Sequence, residues 1–256
     1  MTQVEKIKLD KETVKKLIEV IKIGLDMAKR IRECTNEYTG LLIGLEGGYV
    51  EPGASGALTR GKLEILPTGR NFYAVDPTQL PTKAAWKVGV ETAEKLLKYY
   101  LEKHGRYPES VGHVLWSIDA YKADGEQLSQ ILYLLGVKPV WSSDGTVKGL
   151  EIIPFEELNR PRIDVSVRIS GIVRDTLPNY IELIDEAVSK VVSLNEPPEL
   201  NYVKKHYLEF LQKLTEMGIK DAEEAAKCRV WGEAPGAYGA GVNYAVEASA
   251  WKNDED

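Results

Sequence analysis

The stretch IDVSVRIS, residues 163–170, decides the fold class of this 256-residue chain. Apolar and polar residues alternate strictly along it, which is the period of a β-strand. The apolar face is formed by Ile163, Val165, Val167 and Ile169, and the polar face by Asp164, Ser166, Arg168 and Ser170. The polar face leaves two alternatives: an edge strand with that face in water, or an interior strand beside a polar neighbour. We predict the interior strand, parallel to a strand near 111–117.

Three further strands precede it along the chain. The run VGHVLWSI, which begins at residue 111, is short and rich in β-branched residues, as is typical of a strand buried on both faces. A helical segment from Gly125 to Gly136 separates it from a second strand, and this spacing predicts a βαβ unit. The sequence therefore predicts an α/β fold. Its mostly parallel sheet has about four strands, near 111–117, 137–141, 149–154 and 163–169, with flanking helices and with helical segments at both ends.

Two long amphipathic helices are predicted in the first part of the chain. Apolar residues recur at helical spacing from about 11 to 33, after Asp10 as the N-cap. A second helix follows Thr82 and ends near Gly105. The residues between them, 47–82, form a long loop rich in Gly and Pro, and long ordered loops often line binding sites.

Further helices are predicted at about 178–194 and 199–217. We divide the chain into an N-terminal helical region with the long loop (1–105), an α/β domain (106–198) and a C-terminal helical region (199–256). The last region is expected to be truncated, because the chain stops shortly after a helical segment begins, without a clear cap.

Composition excludes several classes of function. The net charge is −6, and Lys and Arg are spread over the helices, so no basic patch for nucleic acid or an anionic membrane is indicated. No apolar run approaches the roughly 20 residues that cross a bilayer, and the N-terminus lacks a signal-peptide core. We expect a cytoplasmic protein. Cys34 and Cys228 are far apart, which favours reduced structural thiols over a disulfide framework.

Polar side chains follow two of the predicted strands. In an open parallel sheet, ligands bind outside the carboxyl ends of the strands. One set follows the strand near 111–117 and the other lies at the end of the strand near 163–169. We predict that the two sets meet in one cleft, into which Asp119 and Arg174 open. The sets are Ser117, Asp119 and Glu126, and Arg168, Ser170, Arg174 and Asp175. A simpler alternative for Glu126 is a first-turn carboxylate that complements the helix dipole.

The three histidines give no metal-binding pattern. His206 lies on the polar flank of its predicted helix, where a solvated surface residue is more common than a base. His113 falls within a buried strand, so we expect a hydrogen-bonded core residue. No HxxxH spacing is present, and an autonomous zinc or iron site is not expected.

Two glycine-rich stretches imitate nucleotide-binding loops. GALTRGKL, from Gly56 to Leu63, places a leucine where a P-loop needs Ser or Thr, and no strand precedes it. The stretch from Gly236 to Gly241 does not follow GxGxxG, although its N–H groups could meet a carboxylate. The residues alone thus predict an Arg- and Asp-lined cleft for a small polyanionic or polycarboxylate ligand.

Three long motifs point to a known family. They are EPGASGALTRGKLEILPTGRNFYAVDPTQLPT (51–82), LEIIPFEELNRPRIDVSVRISGIVRDTLPN (150–179) and PGAYGAGVN (235–243). They resemble the large subunit of cobaltochelatase and that of its relative, magnesium chelatase. Phe72 and Tyr73 after GRN, and the run VRISG at 167–171, resemble the cobalt branch more closely.

The resemblance implies a reaction, substrates and partners. The family inserts a divalent ion into a tetrapyrrole, with ATP hydrolysed by separate ATPase-type subunits. For this chain it implies a corrin precursor of the hydrogenobyrinic acid diamide type, within cobalamin biosynthesis, with cobalt(II) as a substrate. ATP and Mg²⁺ would be used by the partner subunits, and no tightly bound cofactor is predicted. The alternatives are a magnesium-chelatase-like module and a non-catalytic tetrapyrrole-binding module.

Metal insertion also suggests roles for particular residues. Two pyrrole N–H protons must leave and a partly dehydrated cation must be delivered, which requires carboxylates or a histidine. The catalytic candidates in the matching segments are His206, Glu126 and Asp119. The substrate's carboxylates need arginine and polar partners. The candidates for substrate binding are Arg70, Asn71, Asp76, Arg168, Ser170, Arg174 and Asp175. Metal ligands are not assigned. For Arg70, pairing with an internal acidic residue is the open alternative.

Full large subunits of this family are several times longer than this chain. A preceding stretch with an HGxxE-type run is absent here. We therefore expect the chain to work with the remainder of the large subunit and to be inactive alone.

Overall fold

A computed structural model describes residues 10–53, 56, 58, 62–72 and 75–237. The chain divides into two compact units, Met1–Val75 and Asp76–Asp256. The predicted truncated C-terminal helical segment and the glycine-rich stretch after residue 237 lie outside the described residues. In the described part, no helix is both long and apolar enough to span a membrane.

The first unit is built from two helices and a pair of short strands. Helix α1 begins where predicted, because the Asp10 carboxylate accepts the backbone N–H groups of Glu12 and Thr13. The two strands pair in parallel, and Asn71 donates its backbone N–H to the Glu51 carbonyl. The elements are α1 (Lys11–Glu33), α2 (Asn36–Leu45), β1 (Pro52–Gly53) and β2 (Asn71–Phe72).

Two glycines bring α2 against the segment that precedes β2. A Cβ on Gly40 would lie 2.4 Å from the carbonyl oxygen of Gly69, and Gly69 itself has a φ of +84°. At Gly40 a side chain would prevent the backbone contact, and at Gly69 the left-handed conformation favours glycine. The segment 67–71 is thereby held against one face of α2.

The second unit begins with a long helix, α3 (Lys83–His104). The Thr82 hydroxyl accepts the Ala85 N–H at its start, and Gly105, at φ 68°, ends it, so both predicted ends are confirmed. The remaining helices are α4 (Ile118–Ala123), α5 (Glu126–Leu135), α6 (Phe155–Leu158), α7 (Gly171–Thr176), α8 (Pro178–Val192), α9 (Tyr202–Glu216) and α10 (Ala222–Lys227).

A three-stranded parallel sheet confirms the α/β class. Its order is β3 (Ser110–Leu115), β6 (Asp164–Ile169) and β7 (Val230–Trp231), and Leu115 pairs with Ile169. Strand β6 is therefore interior and parallel to β3, as predicted, and the edge-strand alternative is wrong. Strand β3 lies at the edge, with Val114 53% exposed, so the prediction that it is buried on both faces is wrong.

The other two predicted strands are not part of this sheet. β4 (Val137–Trp141) and β5 (Val147–Ile152) pair antiparallel as a separate hairpin, so the predicted βαβ unit and four-stranded parallel sheet are wrong. The turn explains the pairing. The Asp144 carboxylate accepts the Ser142 hydroxyl and the Thr146 N–H, and Gly145 adopts a φ of 89°.

The core of the second unit lies between the helices and the sheet. Helices α5 and α8 each bury six residues. A charged residue is buried among them: Arg162 is 1% exposed and donates to the Glu196 carboxylate and to the carbonyls of Gly136 and Ile153. The guanidinium thus joins the start of β4, the end of β5 and the segment before α9.

Candidate functional site

A group of four charged residues and one serine lies at the carboxyl edge of the three-stranded sheet. We call it the carboxyl-edge cluster, and its members are Arg168, Ser170, Arg174, Asp175 and Glu233. Ser170 follows β6 and begins α7, because its hydroxyl accepts the Val173 N–H at 3.4 Å. Helix α7 carries Arg174 and Asp175, and β7 brings Glu233 to the same edge.

Ion pairs and hydrogen bonds join the carboxyl-edge cluster. Arg168 forms a close ion pair with Glu233, whose side chain is 8% exposed. Arg174 donates through Nε to Asp175 at 2.7 Å and through Nη1 to the carbonyls of Glu233 and Ala234, at 2.7 and 2.6 Å. The predicted substrate-binding residues of this strand and helix therefore do lie together.

A cavity of about 230 Å³ lies beside this cluster. Its lining includes Arg174, Glu233 and two residues of α8, Ile181 and Asp185. Asp185 remains accessible to solvent. The surrounding protein nevertheless removes part of the hydration of its carboxyl, and this desolvation, followed by the nearby Glu224, raises the pKa of Asp185 above its ordinary value. The cavity is smaller than most small-molecule sites, which span roughly 300–1,000 Å³. It is large enough for a substituent or an ion, and a larger molecule would extend beyond it.

Sequence reasoning missed Asp185 and Glu233. Asp185 stands four residues after Ile181, so the two share one side of α8, and an acidic residue at that spacing could have been noticed. Glu233 had no such signal, because its position depends on the two-residue strand β7.

Asp119 and Glu126 lie at the start of α5. The Asp119 carboxylate is 5% exposed and accepts the N–H groups of Gln127 and Leu128, at 2.7 and 3.3 Å, and the Tyr180 hydroxyl. Burial raises the pKa of Asp119. It does not line the cavity beside Arg174, so the predicted shared cleft is not formed. Glu126 is the first residue of α5 and is partly exposed.

His206 belongs to a second group, the amino-edge cluster, which also contains Glu109, Asp164, Lys205 and Arg229. Nδ1 of His206 lies 2.8 Å from one carboxylate oxygen of Asp164. The other oxygen of Asp164 accepts a hydrogen bond from Nε of Arg229 at 2.8 Å. The hydrogen bond to Asp164 raises the pKa of His206. The expectation of a solvated surface histidine is wrong, because its side chain is only 18% exposed.

The amino-edge cluster is far from the carboxyl-edge cluster. Asp164 begins β6 and Ser170 follows its end, which separates them by roughly 20 Å at about 3.3 Å per residue. His206 therefore does not join the arginines of the predicted site. His113 also stands apart: burial lowers its pKa to about 4, and its Nε2 has no hydrogen-bond partner among the described residues, contrary to expectation.

The remaining predicted residues are divided between the two units. In the first unit, Arg70 donates through Nε to the Pro67 carbonyl at 3.1 Å and through Nη2 to the Glu64 carbonyl at 2.9 Å. Within the described ranges no carboxylate forms an ion pair with it, so pairing with an internal acid is not seen. In the second unit, Asp76 caps a short turn through Thr78, which lowers the pKa of Asp76. The side chains of Phe72 and Tyr73 lie outside the described residues.

Across the part of the chain that the structure describes, no group of three or more His, Cys, Asp or Glu side chains could hold a metal ion. The carboxylates of the carboxyl-edge cluster are instead paired with arginines.

Comparison with known proteins places this sequence among metal chelatases. The family model described as CobN/Magnesium Chelatase matches residues 2–256. An uncharacterized protein of Methanocaldococcus jannaschii is 54% identical over 94% of the chain, which covers 19% of that protein. The aerobic cobaltochelatase subunit CobN of Pseudomonas aeruginosa is 43% identical over 86% of the chain and 18% of the relative.

The chain is also similar to a magnesium-chelatase subunit and to a solved cobaltochelatase structure. The chloroplastic magnesium-chelatase subunit ChlH of Oryza sativa subsp. indica is 42% identical over 86% of the chain and 16% of the relative. The structure of the catalytic subunit of cobaltochelatase from Mycobacterium tuberculosis superposes with a TM-score of 0.78 at 39% identity, covering 89% of this chain and 19% of that one. The chain thus spans about a fifth of the length of the relatives that it matches.

Proposed function

Because this chain belongs to the CobN/magnesium chelatase family, we propose that it is a module of the large, tetrapyrrole-binding subunit of a metal chelatase. The reaction is the ATP-dependent insertion of cobalt(II) into a corrin precursor, as in cobalamin biosynthesis. The observation that carries the proposal is the family match over residues 2–256. The carboxyl-edge cluster supports it, because it contains acidic and basic groups of the kind that metal insertion needs.

The acidic groups of this edge are suited to accept protons from the macrocycle. Two pyrrole N–H protons must leave, and a carboxylate whose pKa is raised toward the working pH is a better general base than an ordinary one. Asp185 has such a raised pKa and remains accessible. In this proposal Asp185 accepts a proton from the substrate, and Glu233 is its neighbour on the cavity wall.

The basic groups are suited to hold a carboxylate of the substrate. A planar guanidinium pairs with carboxylates through two parallel hydrogen bonds. Arg174 lines the cavity, and its guanidinium is held by two hydrogen bonds to Asp175 and by two backbone carbonyls. In this proposal a peripheral carboxylate of the substrate is attracted by the fixed positive charge at this edge.

The choice of cobalt over magnesium rests on the sequence motifs. Identity to the cobalt and magnesium relatives is 43% and 42%, which does not separate them. The pair Phe72 and Tyr73 and the run at 167–171 favour cobalt, and magnesium insertion is the alternative. A tetrapyrrole-binding module without chemistry is a further candidate, because the chain spans only about a fifth of the relatives. In either case we expect the rest of the subunit and ATPase partners to be needed for turnover.

A reconstitution experiment tests this proposal. The chain, the remainder of the large subunit and the ATPase subunits are combined with hydrogenobyrinic acid diamide and Co²⁺, and in parallel with protoporphyrin IX and Mg²⁺. We expect cobalt insertion in the complete mixture only. Asp185→Asn should lower the rate of cobalt insertion by about a hundredfold, as expected for the loss of a general base. The affinity for the substrate should be unchanged.

Glu182→Gln is the matched control, because Glu182 is an exposed acid one turn earlier on α8 and does not line the cavity. Magnesium insertion instead of cobalt would favour the alternative. Equal rates of cobalt insertion for the Asp185 and Glu182 variants would contradict the role of Asp185 as proton acceptor.

A further inference from the structure

The two faces of the three-stranded parallel sheet differ in how far they are covered. Residues in register on neighbouring strands point to the same side of a sheet, and successive residues of one strand alternate between its sides. His113, Leu115 and Val167 are buried on the side against which α5 packs. On the other side, Gly112 and Ser166 pair in register and both are exposed. The sheet therefore has one covered and one open side.

The open side contains a row of three side chains that crosses all three strands. Val114 on β3 pairs with Arg168 on β6, and Arg168 pairs with Trp231 on β7. We call these three residues the open row. Val114 and Trp231 are 53% and 52% exposed, and Trp116, which directly follows β3, is 46% exposed. Tryptophan and arginine are enriched among the residues that dominate binding energy at protein interfaces, so this composition is typical of an interface.

Helix α9 covers only the amino end of the open side. Asp164 lies on the same side as Ser166, two residues further along β6, and it is buried beneath His206 and Arg229. From Ser166 onward this side is exposed, and within the described ranges no helix lies over it. Parallel sheets occur almost only where both faces are covered. The exposed part of this side therefore indicates a covering layer that the described residues do not supply.

The dimensions and charge of the open row suit the apolar side of one helix. The row spans two strand spacings, about 10 Å, and a helix with its side chains has a diameter of about 10–12 Å. Arg168 does not oppose such a cover, because its charge is already paired with Glu233 and its burial would leave no isolated charge. The aliphatic part of the Arg168 side chain can itself pack against apolar groups.

We propose that the open row is the docking surface for an amphipathic helix from the remainder of the large subunit. The chain covers only 19% of the Methanocaldococcus relative and 19% of the solved cobaltochelatase subunit, so most of each lies outside the matched region and can supply this helix. The inference rests on the proposed function, which makes the chain a module of a longer subunit. A second copy of the chain fits less well, because a two-fold contact centred on this row would bring two Arg168 side chains together.

A charge placed on the open row tests this docking surface. Trp231→Glu puts a carboxylate beside Arg168, and opposite charges on neighbouring strands are compatible with a sheet. Burying the same carboxylate under an apolar helix is costly. The purified chain is titrated with the remainder of the large subunit, and binding is measured by isothermal titration calorimetry. We expect at least about tenfold weaker binding by Trp231→Glu, as for the loss of an interface hot spot, with an unchanged melting temperature of the isolated chain.

Tyr99→Glu is the matched control. Tyr99 is also an exposed aromatic residue of the second unit, but it lies in helix α3 and not in the sheet. The affinity of this variant for the remainder of the subunit should equal that of the wild type. Equal affinities of Trp231→Glu and Tyr99→Glu, with binding intact, would overturn the docking surface and leave the proposed function standing. No binding by the wild type would also overturn the docking surface, and the reconstitution of cobalt insertion then decides the proposed function separately.

A second variant stays decisive if Trp231→Glu does not fold. Val114 lies on the edge strand β3, where charged side chains are well tolerated, and Val114→Glu should weaken binding of the remainder of the subunit by about tenfold or more. Sedimentation velocity of the chain alone tests the contact between two copies. We expect a monomer for the wild type. A dimer that Val114→Glu dissociates would overturn the proposal, because the open row would then be an interface between copies of this chain.

Discussion

The two units use amphipathic helices in different ways. In the second unit, α5 and α8 bury six residues each. In the first unit, no residue of α1 or α2 is buried, although both helices are described in full and contain many large apolar residues. Apolar periodicity therefore predicts a helix equally well in both units, but it does not reveal whether a partner covers the apolar face.

Helix α1 is supported mainly along its own length. Its start is capped by Asp10, and ion pairs at i,i+4 spacing join Glu12 to Lys16 and Asp26 to Arg30. Each such pair adds only a few tenths of a kcal/mol. The second unit instead gains most of its stability from burial, which contributes about 1.5–3 kcal/mol for each large apolar side chain. Substitutions should therefore have large effects in one unit and small effects in the other.

A large loss of stability is expected at Arg162. Arg162→Met leaves the Glu196 carboxylate and two backbone carbonyls without their buried donor. Breaking a buried ion pair from one side costs about 3–5 kcal/mol. Urea unfolding followed by tryptophan fluorescence measures the loss. Lys98→Met, which removes an exposed pair with Glu102, is the control and should cost less than about 1 kcal/mol. Similar losses in both variants would contradict the role given to Arg162.

A matched pair of leucines compares the two units directly. Leu132 in α5 is fully buried and Leu42 in α2 is 59% exposed, and both helices have ten residues. Leu132→Ala should lower the free energy of unfolding by about 2–5 kcal/mol. Leu42→Ala should change it by no more than about 0.5 kcal/mol. The same unfolding assay measures both, and a large loss at Leu42 would mean that the apolar face of α2 is covered in solution.

Capping residues and one alternating strand made much of the fold predictable. Asp10, Thr82 and Gly105 set the ends of α1 and α3 through local hydrogen bonds and a left-handed backbone, which depend only on neighbouring residues. The alternation in 163–169 indicated the interior strand. The antiparallel hairpin was missed although Asp144 and Gly145 formed a strong turn signal, because two nearby apolar runs do not reveal their direction.

The candidate site was predictable only in part. Arg168, Ser170 and Arg174 came together because they follow one strand closely. His206 and Asp119 did not join them, because periodicity does not say at which edge of the sheet a helix packs. Glu233 depended on β7, which has two residues and therefore no period to detect.

The pairing of His206 with Asp164 should make stability depend on pH. The bond raises the pKa of His206 above its ordinary value near 6.5, so its contribution is fully present below that value. The contribution is lost as the pH rises through the raised pKa. A hydrogen bond between charged groups contributes about 1.5–3 kcal/mol. The charged groups around the ring also include Glu109, Lys205 and Arg229.

His206→Gln should therefore be less stable than the wild type at about pH 6, and this difference should shrink at about pH 9. Urea unfolding at the two pH values measures it. His104→Gln, which removes an exposed imidazole at the end of α3, is the control for the loss of a histidine. A difference that grows with pH would show that the neutral ring, and not the imidazolium, is the stabilising form.

The smallest effect is expected on the exposed face of α1. Ile21 is 52% exposed. Lysine is a good helix former, and its introduction at this position removes apolar surface from water. Ile21→Lys should change the free energy of unfolding by no more than about 0.5 kcal/mol. Leu97→Lys is the matched contrast, because Leu97 lies in α3, a helix of similar length, and is 1% exposed. Burying its ammonium group would cost several kcal/mol and unfold the second unit. If Ile21→Lys were as damaging as Leu97→Lys, the apolar face of α1 would have to be covered in solution, and the contrast between the two units would fail.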